Sequence, residues 1–180
     1  MRLFLSLIVL LLGVAINRPA CADRPLGEYQ VKVAYIYNFA KFVRWPERAF
    51  KTIEDPFVIG ILGSNPFDRE LEPLTMRKVR NRRIEVRHFK NLADLDECHL
   101  LYISPSEASR LETTLASLRD RPLLTIGEDK KFAIQGGIIQ FVTVRGRLRF
   151  IINLEAASAS HLQIEAQLLS LASEVLEAGR

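Results

Sequence analysis

The chain has 180 residues, 48% of them hydrophobic, and its 25 basic and 21 acidic residues give a formal net charge of +4. This length suits one domain with a substantial core and excludes an arrangement of two. The net charge is too small to indicate nucleic-acid binding.

Residues 1–22 are predicted to be a cleavable export signal. Arg2 supplies the positive start, residues 3–16 form an almost unbroken apolar run, and residues 20–22, Ala-Cys-Ala, fit the small-x-small cleavage pattern. The apolar run is shorter than the roughly 20 residues that a transmembrane helix needs. A lipid anchor on Cys21 is the alternative to cleavage after Ala22. Cleavage would leave residues 23–180 as one exported domain.

Cleavage would also change the charge and the thiol content. It removes two arginines, so that 23 basic residues face 21 acidic ones, and it removes Cys21. Cys98 is then the remaining thiol, and a single cysteine in an oxidising compartment cannot form an internal disulfide. Cys98 is therefore either a buried, unreactive thiol or a link to another chain.

A helix is predicted over Glu28–Val43. Mostly apolar side chains recur along one face at helical spacing, namely Val31, Ala34, Tyr35, Asn38, Phe39 and Phe42. Asn38 on this face is expected to hydrogen-bond a backbone group. Further apolar residues widen the arc, which indicates burial on more than one side, by the core or by another chain. Pro46 ends the helix because the residue before a proline avoids the helical conformation.

Strands and helical segments alternate after the first helix. Four strands are predicted, over Phe57–Leu62, Arg83–Phe89, Cys98–Ile103 and Pro122–Ile126. Helical stretches lie between them at 67–72 and 104–118, and Ser104 caps the second of these. This alternation predicts a Rossmann-like α/β domain, a mostly parallel sheet with helices on both faces.

The last part of the chain has a different pattern. Ile138–Val144 and Leu148–Asn153 flank Arg145-Gly146-Arg147, which predicts an antiparallel hairpin. A final helix is predicted from Glu155, with one apolar stripe formed by Ile164, Leu168, Leu171 and Val175.

No group of residues in the sequence has the pattern of a catalytic site. Cys98 and His99 are neighbours in a predicted strand, so their side chains point to opposite faces and cannot form a dyad. The sequence has no G-x-S-x-G elbow, and its three histidines lack metal-ligand spacing. We therefore expect no enzymatic activity, no cofactor and no metal.

A glycine-containing turn after the first predicted strand is a candidate small-ligand loop. It comprises Gly63, Ser64 and Asn65, with Ser104 at the end of the third predicted strand. Backbone N–H groups in such turns can bind phosphates. The residues do not complete a G-x-G-x-x-G or P-loop motif, so a plain tight turn is the alternative.

A basic run and the outer edge of the aromatic helix form a candidate partner-binding surface. The residues are Arg77, Lys78, Arg80, Arg82 and Arg83 from the run, with Ile36, Val43 and Trp45 from the helix end. The run is either a solvated loop or a positive patch for an acidic protein surface or anionic headgroups.

With these residues laid out, the chain resembles the YfiR family of periplasmic regulators. The resemblance is most specific in the segment Tyr35–Pro46, YIYNFAKFVRWP, and covers nearly all of the mature chain, about residues 28–175. The supporting segments follow in the same order, at Phe57–Gly63, Cys98–Ser104, Gly136-Gly137 and Phe150–Leu154.

The resemblance implies a non-enzymatic periplasmic domain that represses an inner-membrane diguanylate cyclase by binding the periplasmic part of that enzyme. An outer-membrane lipoprotein can sequester such a repressor, and the released cyclase raises cyclic di-GMP and favours biofilm. Family members often form homodimers. Other members are thought to act with histidine kinases, so a small-ligand-binding accessory module for another membrane sensor is the alternative.

Overall fold

Residues 26–177 are described by a computed structural model, and the predicted export signal at residues 1–22 lies outside them. The helices are α1 (Leu26–Phe42), α2 (Leu111–Leu118), α3 (Leu154–Ala159) and α4 (Ala166–Leu169). The strands are β1 (Val43–Arg44), β2 (Phe57–Leu62), β3 (Lys78–Val79), β4 (Arg82–Phe89), β5 (Leu100–Ile103), β6 (Leu124–Gly127), β7 (Ile139–Val144), β8 (Arg147–Asn153), β9 (Gln163–Ile164) and β10 (Glu174–Leu176). Short 3₁₀ segments cover Glu47–Ala49, Glu72–Met76, Leu92–Asp94 and Pro105–Arg110.

Eight of these strands form one mixed, mostly parallel sheet in the order β10-β8-β7-β6-β5-β2-β4-β3. The chain passes from β2 to β4 on one side and then returns to β5 on the other, so the carboxyl ends of β2 and β5 lie side by side. Strands β7 and β8 pair antiparallel, as do β3 and β4. The fold is therefore a mixed α/β fold with an extended sheet.

The two faces of the sheet bury different sets of side chains. Alternate residues of β5 point to opposite faces, so Leu100 and Tyr102 join the cluster under α1, whereas Leu101 and Ile103 join the cluster under α2. All six residues of β2 are buried. The continuous apolar run in β2 is thus explained by burial on both faces.

The buried side of α1 differs from the predicted one. It is formed by Lys32, Val33, Ile36, Phe39 and Ala40, with Val43 directly after the helix. Val31 is 45% exposed and Asn38 is also exposed, so the predicted buried hydrogen bond of Asn38 is wrong. Apolar residues occur on nearly every side of α1, and for this reason periodicity alone did not select the side that meets the sheet.

The predicted C-terminal helix is wrong. The chain instead forms α3, β9, α4 and β10 in succession, and Leu171 of the predicted stripe is 59% exposed. Ile164 pairs with Val43 in a separate antiparallel pair, β1–β9, and Val175 pairs with Ile152 of β8. His161 follows α3 with φ of 56°, a left-handed conformation that ends a helix.

Two glycines make room for a buried aromatic ring near the end of β6. Phe132 is 1% exposed, and a Cβ at either Gly127 or Gly137 would overlap its ring. The Gly137 N–H also donates to the Phe132 carbonyl at 2.9 Å. The ring is therefore held between two positions that tolerate no side chain without a shift.

Candidate functional site

The β3–β4 hairpin brings part of the predicted basic run next to the end of α1. The Tyr37 hydroxyl donates to the Lys78 carbonyl at 3.3 Å. Two cations also lie near the Tyr37 ring, with Arg77 Cζ at 5.2 Å and Lys41 Nζ at 5.6 Å from its centroid. These cation–π contacts hold long, exposed basic side chains beside one aromatic ring.

A shared ion pair extends this surface toward the C-terminal part of the chain. Glu165 Oε1 accepts from Arg44 Nε at 3.0 Å and from Arg80 Nη2 at 3.2 Å. The hydrogen bond from Arg44 is the main cause that lowers the pKa of Glu165, and the charge of Arg80 acts in the same direction. The carboxylate therefore stays ionised and fixes both guanidinium groups.

We call this surface the basic face, and its members are Tyr37, Lys41, Arg44, Arg77, Lys78, Arg80 and Glu165. Two of its five cations, Arg44 and Arg80, pair with Glu165, and two others, Lys41 and Arg77, lie at the Tyr37 ring, so cations outnumber the single carboxylate of this surface. Arg77, Lys78 and Arg80 were predicted from the basic run. The other members are distant in sequence, and the spacing of Tyr37 and Lys41 by one helical turn was the signal that could have indicated them.

Two arginines of the predicted run have other contacts. The Arg82 guanidinium donates to the carbonyls of Thr52 and Asp55 at 2.8 and 2.9 Å and lies 3.9 Å from the centroid of the Phe50 ring. Arg82 therefore anchors the segment between α1 and β2. Arg83 is exposed opposite Lys78 in the β3–β4 ladder and pairs with Glu85 at 3.4 Å.

The predicted partner contacts of Ile36 and Val43 are wrong. Both side chains are 0% exposed, because they pack in the core beneath α1. Trp45 is half-buried, its ring packs edge-on against Phe57, and its indole N–H donates to the His99 carbonyl at 3.0 Å. The outer edge of the aromatic helix therefore contributes Tyr37 rather than Ile36 and Val43, and the partner contact of Trp45 stays a prediction.

His99 connects β5 to the same segment between α1 and β2. Its Nδ1 accepts from the Val58 N–H at 3.0 Å, and its Nε2 donates to the Ala49 carbonyl at 3.0 Å. The ring stacks on Phe50 and Phe57. Burial lowers the pKa of His99 below its usual value of 6.5, because a charged ring would lose its hydration.

We expect acid to destabilise the fold through His99. Protonation puts a hydrogen on Nδ1, which faces the Val58 N–H, so the unfolded chain binds this proton more readily. The contribution of the neutral ring is complete above pH 6.5 and is lost as the pH falls from 6.5 through the lowered pKa. The free energy of unfolding should therefore be lower at pH 5.5 than at pH 7.5, by at most about 1.4 kcal/mol for this one group, measured by urea denaturation.

The substitution His99→Gln supplies the control for this pH dependence. Glutamine does not titrate, so the variant should lose little stability between the two pH values, although it is less stable than the parent at pH 7.5. An equally large fall in the variant would contradict the assignment to His99.

The candidate small-ligand residues come together at the adjacent carboxyl ends of β2 and β5, but the protein fills that space. Ser106 and Glu107 occupy the region next to Gly63, and the Ser64 N–H donates to Ser106 Oγ at 2.9 Å. Asn65 Oδ1 accepts from the Phe67 N–H, and Ser104 is buried. These polar groups are used within the chain and do not offer an open anion site.

Cys98 and His99 point to opposite faces, as predicted from their neighbouring positions. The Cys98 Sγ donates to the Leu100 carbonyl at 3.1 Å, on the side of the sheet where Gly60 lies. Burial raises the pKa of the Cys98 thiol to about 12, so the reactive thiolate is scarce near neutral pH. This supports the unreactive thiol over the link to another chain.

A buried lysine that the sequence did not predict lies in the second turn of α1, on the side of the helix that faces the sheet. Lys32 Nζ donates to Glu28 at 2.8 Å and to Glu128 at 2.7 Å, and its side chain is 1% exposed. The Tyr102 hydroxyl donates to the other oxygen of Glu128. Burial alone would lower the pKa of Lys32, but the hydrogen bonds to Glu128 and Glu28 outweigh it and raise that pKa.

The described part of the chain contains no group of three or more histidine, cysteine or acidic side chains placed to hold a metal ion. Between residues 26 and 177, no helix has the length and apolar character needed to cross a bilayer. The most distinctive chemical feature outside the core is the charged surface. The fold and this surface define the class as a mixed α/β domain with a strongly basic face.

The chain belongs to the YfiR/HmsC-like family, whose model matches residues 29–173. This confirms the resemblance stated above. The family is periplasmic and acts with membrane signalling partners.

One similar solved structure is the crystal structure of a conserved domain protein from Vibrio cholerae O1 biovar El Tor strain N16961. It has a TM-score of 0.54 and 13% sequence identity, and the match covers 82% of this chain and 60% of that chain. At this identity the likeness shows the fold alone. The present chain thus spans less than two thirds of that protein, and no curated protein matches it.

Proposed function

We propose that the chain is a non-enzymatic regulatory binding protein that is exported to the periplasm after cleavage of residues 1–22. There it restrains an inner-membrane signalling enzyme, a diguanylate cyclase, by binding its periplasmic part, and so lowers cyclic di-GMP. Family membership over residues 29–173 supports the partner class. A homodimer would present two binding surfaces to the cyclase.

The basic face is the observation that carries the proposal. Its cations come from α1, β1 and the segment of the β3–β4 hairpin. Lys41 and Arg77 contact the Tyr37 ring, and Arg44 and Arg80 pair with Glu165. Such a surface fits an acidic region of a partner protein, because complementary charge speeds encounter and disfavours wrong partners. Binding restrains the enzyme when the protein has a higher affinity for the inactive state of the enzyme than for its active state.

In this scheme the cyclase is released when another protein competes for the repressor. An outer-membrane lipoprotein that binds the repressor would lower the free repressor and leave the cyclase active. The alternative role, as a small-ligand-binding accessory module for a sensor kinase, has less support because the protein itself fills the candidate ligand loop at Gly63 and Ser104.

A pull-down from solubilised membranes tests the proposal. The protein should recover a membrane protein with a diguanylate cyclase domain, identified by mass spectrometry. The triple variant Lys41→Glu, Arg77→Glu, Lys78→Glu should recover at least about tenfold less of this cyclase, because the variant reverses the charge of three cations of the basic face. Arg44 and Arg80 stay unchanged because they hold Glu165.

The matched control reverses three exposed lysines elsewhere, in Lys90→Glu, Lys130→Glu and Lys131→Glu. It changes the net charge equally and should recover as much cyclase as the parent. Equal losses in both variants would show that net charge, not the basic face, controls binding. Recovery of no sensor or cyclase by the parent would contradict the function itself.

A further inference from the structure

A groove with a volume of about 890 Å³ runs between α2 and α3, away from the basic face. No residue that lines it belongs to the basic face. Its volume lies in the range of roughly 300–1,000 Å³ that binding clefts occupy. The groove is thus a separate feature of the surface.

Small and apolar side chains form part of the walls of this groove, beside polar and charged ones. Ala116 comes from α2, and Ala156 and Ala159 come from α3. Ile134 also lines the groove and is 79% exposed, although isoleucine is usually buried. Alanine walls allow the backbone of a partner to approach closely, and Ile134 gives it an apolar contact.

Two polar side chains of the groove, which we take as its floor, already have partners within the chain. Thr125 Oγ1 accepts from the Ile138 N–H at 3.1 Å. Asn153 donates to the Ala133 carbonyl at 2.8 Å and accepts from the Ala156 N–H at 2.9 Å. The floor therefore offers little to a small polar ligand, which needs open hydrogen-bonding groups for its orientation.

The rim of the groove carries an excess of negative charge. Glu112, Asp120 and Glu155 line it together with one cation, Arg119. Within residues 26–177 none of the three carboxylates takes part in an ion pair, whereas Glu28, Glu107, Glu128 and Glu165 all do. The net charge of the chain is positive, so this is a local reversal of sign.

We infer that the groove binds a basic amphipathic segment of a partner polypeptide. Apolar side chains of the segment pack on Ile134 and the alanines, and its cations pair with the carboxylates of Glu112 and Glu155. This site does not depend on the proposed role of the basic face. With two surfaces of opposite charge, the protein can hold an acidic partner and a basic partner at once.

A labelled peptide tests the inference on the full chain. The probe is a 14-residue amphipathic helix of lysine, leucine and alanine, and binding is followed by fluorescence anisotropy at low salt. The variant Glu112→Gln, Glu155→Gln should bind about fivefold more weakly, because two exposed ion pairs are lost. Asp120 stays unchanged because its φ is 67°, so a substitution there would also alter the backbone.

A matched variant, Glu47→Gln, Glu54→Gln, neutralises two exposed carboxylates outside the groove and should leave the affinity unchanged. Equal weakening by both pairs would overturn the inference, because binding would then follow net charge. Far-UV circular dichroism checks that each variant is folded.

A steric variant tests the shape of the groove without a change of charge. Ala116→Trp fills the space between α2 and α3 and should weaken peptide binding about tenfold, whereas Ala93→Trp on another exposed site should not. An unchanged affinity in Ala116→Trp would overturn the inference.

Amide NMR shifts then locate the peptide. Shifts confined to residues 112–120, 134–136 and 153–160 support the inference, and shifts centred elsewhere overturn it. Shifts of these amides that depend on the concentration of the protein alone, and that Ala116→Trp abolishes, would show that a second copy occupies the groove and would also overturn it.

Discussion

Replacing Lys32 with methionine is expected to lower the free energy of unfolding by about 2 to 3 kcal/mol, measured by urea denaturation. The ammonium group has two carboxylate partners and almost no contact with solvent. Its removal leaves Glu128, which also accepts from Tyr102, as an unpaired charge near the core. Glu128 retains 23% side-chain exposure, so water can offset part of the loss.

A second substitution separates the charge effect from lost packing. Adding Glu128→Gln to Lys32→Met removes the unpaired carboxylate and should recover about 1 kcal/mol or more. The matched control is Lys41→Met on the exposed side of α1, which should cost less than about 0.5 kcal/mol. A Lys32→Met variant as stable as Lys41→Met would contradict the structural role of Lys32.

Replacing Phe132 with alanine is expected to cost about 3 to 4 kcal/mol, because it empties a closely packed site. The ring is 1% exposed and lies between Gly127 and Gly137. Gly137→Ala should also destabilise, by about 1 to 3 kcal/mol, because its methyl group would overlap the ring. Thermal and urea unfolding of the folded variants measure both costs.

A double-mutant cycle shows whether the two sites act on each other. In the double variant the new methyl group enters the space left by the ring, so the combined cost should be at least about 1 kcal/mol below the sum. Additive costs would mean that Gly137 is needed for its backbone and not for the ring.

The central strands could be predicted because their pattern of apolar residues indicates which faces are buried. Phe57–Leu62 was predicted with the observed bounds, since an unbroken apolar run between a proline and a glycine fits a strand buried on both faces. The C-terminal segments could not be predicted, because Ile164 and Val175 also have the spacing of an apolar stripe on a helix. Their pairing with Val43 and Ile152 is decided by distant strands.

The candidate site shows the same limit. The basic run predicted one part of the basic face. Only one residue separates Arg80 from Arg82, yet Arg80 belongs to the basic face and Arg82 anchors the segment between α1 and β2. The sequence alone does not distinguish these two roles. Lys32 could not be recognised as buried, since its carboxylate partner Glu128 lies 96 residues away. The groove between α2 and α3 has no signature in the sequence, because it depends on how two short helices face each other.

The β1–β9 pair makes the basic face depend on contacts between distant parts of the chain. It joins Val43 to Ile164, and beside it Arg44 meets Glu165 across 121 residues of chain. Contacts between such distant residues form late, because the loop between them must first be closed. A chain that ends before Glu165 would keep the five cations of the basic face but would lack the carboxylate that Arg44 and Arg80 share. The complete basic face therefore depends on the C-terminal part of the fold as well as on the basic run.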